Sequence, residues 1–298
     1  PRDVYFYILD QSARRDTMNC CLFDVAAVLK GGFEMGNIWY TEPKTLDVAF
    51  DVIGDIILMA ASQQYGGFTV SEIDKILLPY ALKSLKRYTE QELATYNEVL
   101  GEFGSEAPDQ AALAAKAHHR AMARIKNDFR QGFQGLEMKL NTVASSRGDY
   151  PFVTFTAGLG THELEKMAAI TMFEVRMNGQ GKEGHKKPVL FPKLVMLYDE
   201  ALHGEEGSCP EVFDAALACS SKTMYPDWLS LTGEGYVPSI YKKYGKVISP
   251  MGCRAFLSPW YERGGIHPAD EEDQPVFVGR FNVGVVSLHL PMILAKAR

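Results

Sequence analysis

The sequence predicts an α/β fold carrying a largely helical insert. Strand-like and helix-like runs alternate over residues 149–298, as in a layered or barrel-shaped α/β unit. Between residues 44 and 143, long segments carry apolar residues at helical rather than strand spacing. The 298 residues are 46% hydrophobic and 23% charged, with a mean hydropathy of -0.13, which is ordinary for a soluble protein with a sizeable core.

The elements follow in chain order. "MNCCLFD" (18–24) runs two adjacent cysteines into an apolar strand-like segment. Residues 44–64 form an apolar run whose interior charges are Asp47, Asp51 and Asp55. These lie four apart on one narrow stripe, so the helix is buried around most of its circumference. "YGG" (65–67) ends it, and a second amphipathic helix is expected from Ser71 to about Lys86. "GEFGSEAPDQ" (101–110) reads as a linker. A long helix follows with the stripe Met122, Ile125, Phe129, Phe133, Leu136, Leu140 and Val143. That stripe fits either packing on a neighbouring helix or a seam between two subunits.

After "SSRGDYP" (145–151) the texture changes. "FVTFTAG" (152–158) is β-branched and aromatic, which predicts a strand. Thr161 is placed to cap the next helix, with Glu163 and Glu165 at the positive end of its dipole. The stripe of that helix is Leu164, Met167, Ala168, Thr171 and Val175. "PVLFPKLVMLY" (188–198) reads as a buried strand in which Pro192 implies a bulge or an edge. Residues 210–225 read as a helix. "YGKVISPMGCRAFL" (244–257) predicts a strand leading into a loop, and residues 275–290 predict a strand before a final helix.

Composition and motifs exclude several classes. A net charge of -6 and a pI near 5.7, with no basic run beyond "HKK" and "YKKYGK", argue against a nucleic-acid surface. No stretch approaches the ~18–20 apolar residues of a membrane span, and the start lacks the pattern of a signal peptide. Five cysteines without C-x-x-C spacing are neither a disulfide framework nor a zinc site, which suggests a cytoplasmic protein with reduced thiols. "GQGKEG" (179–184) matches G-x-G-x-x-G in letters, yet a helix precedes it and a strand follows, the reverse of a dinucleotide site. His118 and His119 lie on a polar helix face, "HELEK" (162–166) lacks a second zinc-binding histidine, and "HPADEED" (267–273) reads as a solvated acidic loop. The sequence begins at Pro1 and stops at "LPMILAKAR" within a helix-like run, so it reads as an internal segment of a longer protein.

Two cysteine sites remain. Neighbours on a strand point to opposite faces, so at most one of Cys20 and Cys21 faces a given cavity. Their local pattern suits buried hydrophobes. Cys253 sits behind Pro250, Met251 and Gly252 at what reads as a loop tip, where a thiol is presented rather than packed. The local pattern alone leaves its role open.

Several stretches together resemble one family. They are "NCCLFD" with "GGFEMGN" downstream, "QQYGG" (63–67), "FVTFTAGLG" (152–160), "FPKLV" (191–195), "SKTMYPD" (221–227), "SPMGCRAFL" (249–257) and "GRFNVGVVSLHLP" (279–291). In this order, and across nearly the whole chain, they resemble the catalytic subunit of anaerobic (class III) ribonucleoside-triphosphate reductases. Residues 88–112 show the least likeness. The resemblance implies part of a ten-stranded α/β barrel of the ribonucleotide reductase and glycyl-radical enzyme type. Residues 1–43 would begin the barrel, 44–148 would form a dimer and effector region, and 149–298 would supply further strands and a finger loop at about 248–257.

On that pattern Cys253 would carry a thiyl radical, Cys20 would be the second active-site thiol, and Asn282 would hold ribose hydroxyls. Cys21 would point away, and Cys209 and Cys219 would be structural. The resemblance further implies ribonucleoside triphosphate substrates, dNTP and ATP effectors, a homodimer, and a radical-SAM iron–sulfur activating enzyme as partner. Formate would be the reductant. An ATP cone, a glycyl-radical domain and a structural zinc would lie outside these residues, leaving the segment inactive alone. Another glycyl-radical enzyme and a non-catalytic nucleotide-binding remnant are the alternatives.

Overall fold

The computed structural model describes residues 6–8, 18–103, 109–144, 148–252, 255–283 and 286–297. It begins with β1 (Phe6–Ile8) and β2 (Cys21–Phe23). The short helix α1 (Val25–Leu29) follows, capped by Asp24, whose carboxylate accepts the Ala27 N–H. A hairpin of β3 (Phe33–Met35) and β4 (Ile38–Tyr40) leads into α2 (Leu46–Gln63). Next come β5 (Phe68–Val70), α3 (Ile73–Phe103), α4 (Gln110–Thr142), β6 (Val153–Ala157) and α5 (Glu163–Asn178). The rest is β7 (Lys193–Tyr198), α6 (Glu200–His203), α7 (Pro210–Thr223), β8 (Asp227–Ser230), α8 (Tyr236–Tyr244), β9 (Arg280–Phe281), β10 (Val286–Leu288) and α9 (Leu290–Ala297).

Five strands, β2, β5, β6, β7 and β8, run parallel, and β9 joins β2 antiparallel, giving a six-stranded sheet in the order β8-β7-β6-β5-β2-β9. The α/β class predicted from the sequence is therefore present as this parallel-rich sheet. Its two faces are unequal. Phe68, Val70, Val153, Phe155, Leu194 and Met196 enter one large core with α2, α3, α4, α5 and α7. Val195 and Leu197, one residue out of phase, enter a smaller core with Leu159, Leu231, Val237 and Val247. The period of two along each strand sorts side chains between a helix-covered face and a face covered by α8 and residues 245–252.

The helical insert differs from expectation in its second member. α3 continues to Phe103 rather than ending near Lys86, and so consumes the start of the expected linker. Its polar second half has little apolar periodicity of its own and is held instead by α4. Arg124 stacks over Tyr88 at 3.8 Å and bonds Glu92 at 3.3 Å, and Arg120 lies over Tyr96.

The apolar stripe of α4 is used inside the chain. Phe129 and Phe133 are 0% and 2% exposed and meet Phe50 of α2 edge-on. From Ile125 to Leu140 the stripe is therefore packed inside the chain, and charged residues at Phe129 and Phe133 are expected to unfold the insert. At the other end of α4, buried Glu137 pairs with buried Arg176 at 2.7 Å and accepts from Gln180 at 3.1 Å, joining α4 to α5.

Smaller expectations also change. His162, not Thr161, caps α5, in a capping box with Glu165. Pro192 lies just ahead of β7, which is an interior strand, so it marks neither a bulge nor an edge. Residues 245–250 form no strand; they cross the site-facing side of the sheet as irregular chain. In the acidic loop, Asp273 is buried and accepts N–H groups from Arg263, Gly264 and Ala269, so this loop is pinned from within.

Candidate active site

The site forms where β2 begins and β9 ends, beside the start of β5. β2 pairs with both strands, which places the residue just before β2 next to the residue just after β9. These are Cys20 and Asn282. The Cys20 N–H donates to Asn282 Oδ1 at 2.7 Å, and the Asn282 N–H donates to the Cys20 carbonyl at 3.0 Å. With Oδ1 engaged, the amide NH2 of Asn282 is the end left to meet a ligand. Cys20 Sγ accepts the Gly67 N–H at 3.1 Å.

Parity along β2 separates the two cysteines as the sequence predicted. Cys21 is level with Phe68 and enters the large core, where its thiol donates to Gln64 Oε1 at 3.2 Å. Burial pushes that thiol up to about 12, against the lowering effect of the Gln64 bond. Cys20 takes the other face. Cys209 and Cys219 are buried far along the chain, 2% and 0% exposed, and burial also raises the Cys219 thiol. They are core residues.

The loop that carries "PMGCRAF" comes onto the same spot. Met251 and Ala255 pair across it, with the Met251 N–H donating to the Ala255 carbonyl at 2.7 Å. Gly252 adopts φ +64, and a Cβ there would stand 3.0 Å from Cys20 Sγ. A Cβ on Gly67 would lie 2.5 Å from the Gly252 Cα, and one on Gly66 would collide with Cys20 Sγ. The double glycine of "QQYGG" thus does more than end α2: it clears the floor on which loop and thiol meet. Cys253 itself lies outside the described residues. Its chain neighbour Gly252 is described, and it faces Cys20 so closely that an added Cβ would meet the sulfur.

Residues that sequence reasoning passed over are Gly66, Gly67, Thr69 and Thr154. The available signal was a glycine pair where one would terminate the helix, and threonines inside the buried strands "FTV" and "VTFTA".

A family model described as anaerobic ribonucleoside-triphosphate reductase matches residues 2–298. The chain belongs to the anaerobic ribonucleoside-triphosphate reductase family. It is 33% identical over 297 residues to the anaerobic ribonucleoside-triphosphate reductase of Enterobacteria phage T4, covering 97% of this chain and 43% of that protein. It is likewise 33% identical to the enzyme of that name from Salmonella typhimurium, covering 99% of this chain and 37% of the relative. The chain thus spans about two fifths of the length of the relatives it matches.

Among solved structures it is similar to the anaerobic ribonucleotide reductase from Thermotoga maritima in complex with dATP and CTP. The TM-score is 0.58 at 13% identity, covering 98% of this chain and 42% of that one. The same enzyme with citrate in its active site gives 0.57 at 12%. At this identity the likeness concerns the fold. Within the family's frame the dismissed motifs stay dismissed. "GQGKEG" lies between α5 and β7, held by a Gln180–Lys187 bridge, and His118 and His119 are exposed. Among the described residues no group of His, Cys, Asp and Glu is arranged to hold a metal ion, and no helix is long and apolar enough to cross a membrane.

Proposed function

We propose that this chain is the catalytic core of an enzyme that reduces ribonucleoside triphosphates to 2′-deoxyribonucleoside triphosphates by thiyl-radical chemistry, with formate as reductant. The observation that carries the reading is the meeting of three segments far apart in sequence: Gly252, immediately before Cys253, against Cys20, which is itself bonded to Asn282. In this reading the sulfur of Cys253 takes the 3′ hydrogen of the ribose and later returns it. An S–H bond and a ribose C–H bond are close in strength, so the exchange is nearly thermoneutral. Asn282 donates from its amide to the ribose oxygens as the 2′-hydroxyl leaves as water. Cys20 supports reduction of the sugar intermediate. Overall, ribonucleotide, formate and a proton give deoxyribonucleotide, carbon dioxide and water.

The family pattern assigns radical storage to a glycyl radical outside these residues, which supplies the oxidising equivalent for Cys253. It assigns the structural zinc there too. The radical-SAM activating enzyme and the cytoplasmic location come from the same pattern. The five parallel strands are read as one half of the ten-stranded barrel, β9 being the first strand of the second half. Helices α2 to α4 are read as the dimer and effector region. A groove of about 260 Å³ between α2 and α4, lined by Asp47, Asp51, Asp128 and Lys139, does not carry that reading. Its carboxylates suit hydroxyl and N–H donors better than phosphates.

The test is a cysteine series in the full-length protein. Cys253→Ala is expected to abolish deoxynucleotide formation with nucleotide binding intact. Cys20→Ser should also stop product formation, and Cys21→Ser should be tolerated. Measurable reduction by Cys253→Ala would exclude the radical role.

A further inference from the structure

Thr69 of β5 and Thr154 of β6 stand directly opposite one another in the parallel ladder, and both are buried. Their strand neighbours Phe68, Val70, Val153 and Phe155 turn into the large core, which leaves the two hydroxyls on the site-facing side. A buried hydroxyl without a partner costs about 1–3 kcal/mol, so where these two bond is informative. Both bond to the loop main chain. Thr69 Oγ1 donates to the Pro250 carbonyl at 3.0 Å and accepts the Gly252 N–H at 3.0 Å. Thr154 Oγ1 donates to the Gly252 carbonyl at 2.8 Å.

We infer that Thr69 and Thr154 are positioning residues, a two-point clamp on Gly252 that fixes the peptide unit entering Cys253 and so sets where its thiol reaches. The inference rests on the role proposed above for Cys253. The need for a clamp follows from Gly252 itself. Glycine is what lets the loop turn at φ +64 and lie on Gly67, and the same freedom would let the next peptide rotate. Taking up both the N–H and the carbonyl of Gly252 removes that rotation. Threonine suits the task because a β-branched side chain is stiff at χ1, so the hydroxyl is held by the strand rather than merely attached to it. Two adjacent strands in register supply two fixed anchors at one height.

The experiment uses Thr69→Val and Thr154→Val, which keep shape and remove the hydroxyl, with Thr69→Ser and Thr154→Ser as rescue. Two quantities are read in the full-length protein: kcat and KM, and the rate at which dibromobimane bridges two thiols, with Cys253→Ser as background. The valine variants are expected to lose roughly 10²-fold in kcat, because a 1 Å misplacement costs about that much, with KM little changed. The bridging of Cys20 to Cys253 should slow in parallel. Serine should restore most of both.

Folded valine variants with wild-type kcat, or with lowered kcat and an unchanged bridging rate, overturn the clamp. If a valine variant does not fold, the serine variant decides, and a loss as deep as that of Cys253→Ala counts against the inference. Turnover by Cys253→Ala removes the reductase role of that residue, while the bridging rate still judges the clamp.

Discussion

The helical insert and the floor of the site are built by opposite means. In the insert, α2 and α4 meet mainly through side chains: Phe50 packs against Phe129 and Phe133, and even where its ring lies on Gly132 one partner is a side chain. At the floor, segments meet because side chains are absent, with Gly67 against Gly252 and Gly66 against Cys20. An interface made of side chains can repack when one of them changes. One made of backbone has nothing to repack, so the two regions should respond very differently to the smallest possible insertion, a single methyl group.

The largest effect expected from that contrast is at Gly67. Gly67→Ala places a Cβ 2.5 Å from the Gly252 Cα, which is backbone and cannot rotate aside. The loop must lift, and turnover should fall by about 10²-fold or more. The control in the insert is Gly135→Ala, away from the α2–α4 contact on exposed α4 surface with nothing within 4 Å of the new atom. It should stabilise the chain by up to about 1 kcal/mol through helix propensity, read as a higher Tm. Equal tolerance at both positions would erase the distinction.

The next effect sharpens the side-chain half. Phe129→Ala removes a fully buried ring from the α2–α4 contact and should cost about 3–5 kcal/mol, read as a lower denaturant midpoint. Phe129→Leu should cost far less, because the neighbouring rings can close around it. A small loss for alanine would mean that α4 is not held by this stripe.

Legibility in the sequence divides along the same line. The buried faces of α2 and α4, the strand β6 and the opposed directions of Cys20 and Cys21 all follow from periodicity, which is local. The length of α3 does not. Residues 87–103 are polar, and what keeps them helical is a row of arginines and a lysine on α4. The function of Gly66 and Gly67 was hidden because a glycine after a helix has an ordinary explanation as its stop. Thr69 and Thr154 were hidden for a related reason: their partners lie 181, 183 and 98 residues away. A buried threonine in an apolar strand shows that a polar partner must exist, without showing which. The family likeness proposes Cys253, Cys20 and Asn282 as site residues, and the structure adds why the last two touch.

A last effect concerns a buried charge at the start of α3, where the insert meets the sheet. Asp74, at the start of α3, is 1% exposed; its Oδ2 accepts the Gly158 N–H at 3.0 Å and the Gly160 N–H at 3.3 Å, while Oδ1 has no partner. Burial pushes this carboxyl up to about 6; the Gly158 bond lowers it in part, and Glu72 adds to the rise. Because the folded value is the higher one, the folded chain keeps a proton that the unfolded chain has already released between about pH 4 and 6. The contribution of Asp74 to stability is therefore fully present below about pH 4 and lost as pH rises through 6. Asp74→Asn cannot ionise, and its side-chain carbonyl can still accept both glycine N–H groups. The variant should match the parent chain near pH 4 and exceed it by up to about 3 kcal/mol at pH 7. Paired thermal melts across that range measure the gap. A gap that stays flat with pH would mean that Asp74 is already ionised at low pH, and that its two backbone donors outweigh the desolvation of its free oxygen.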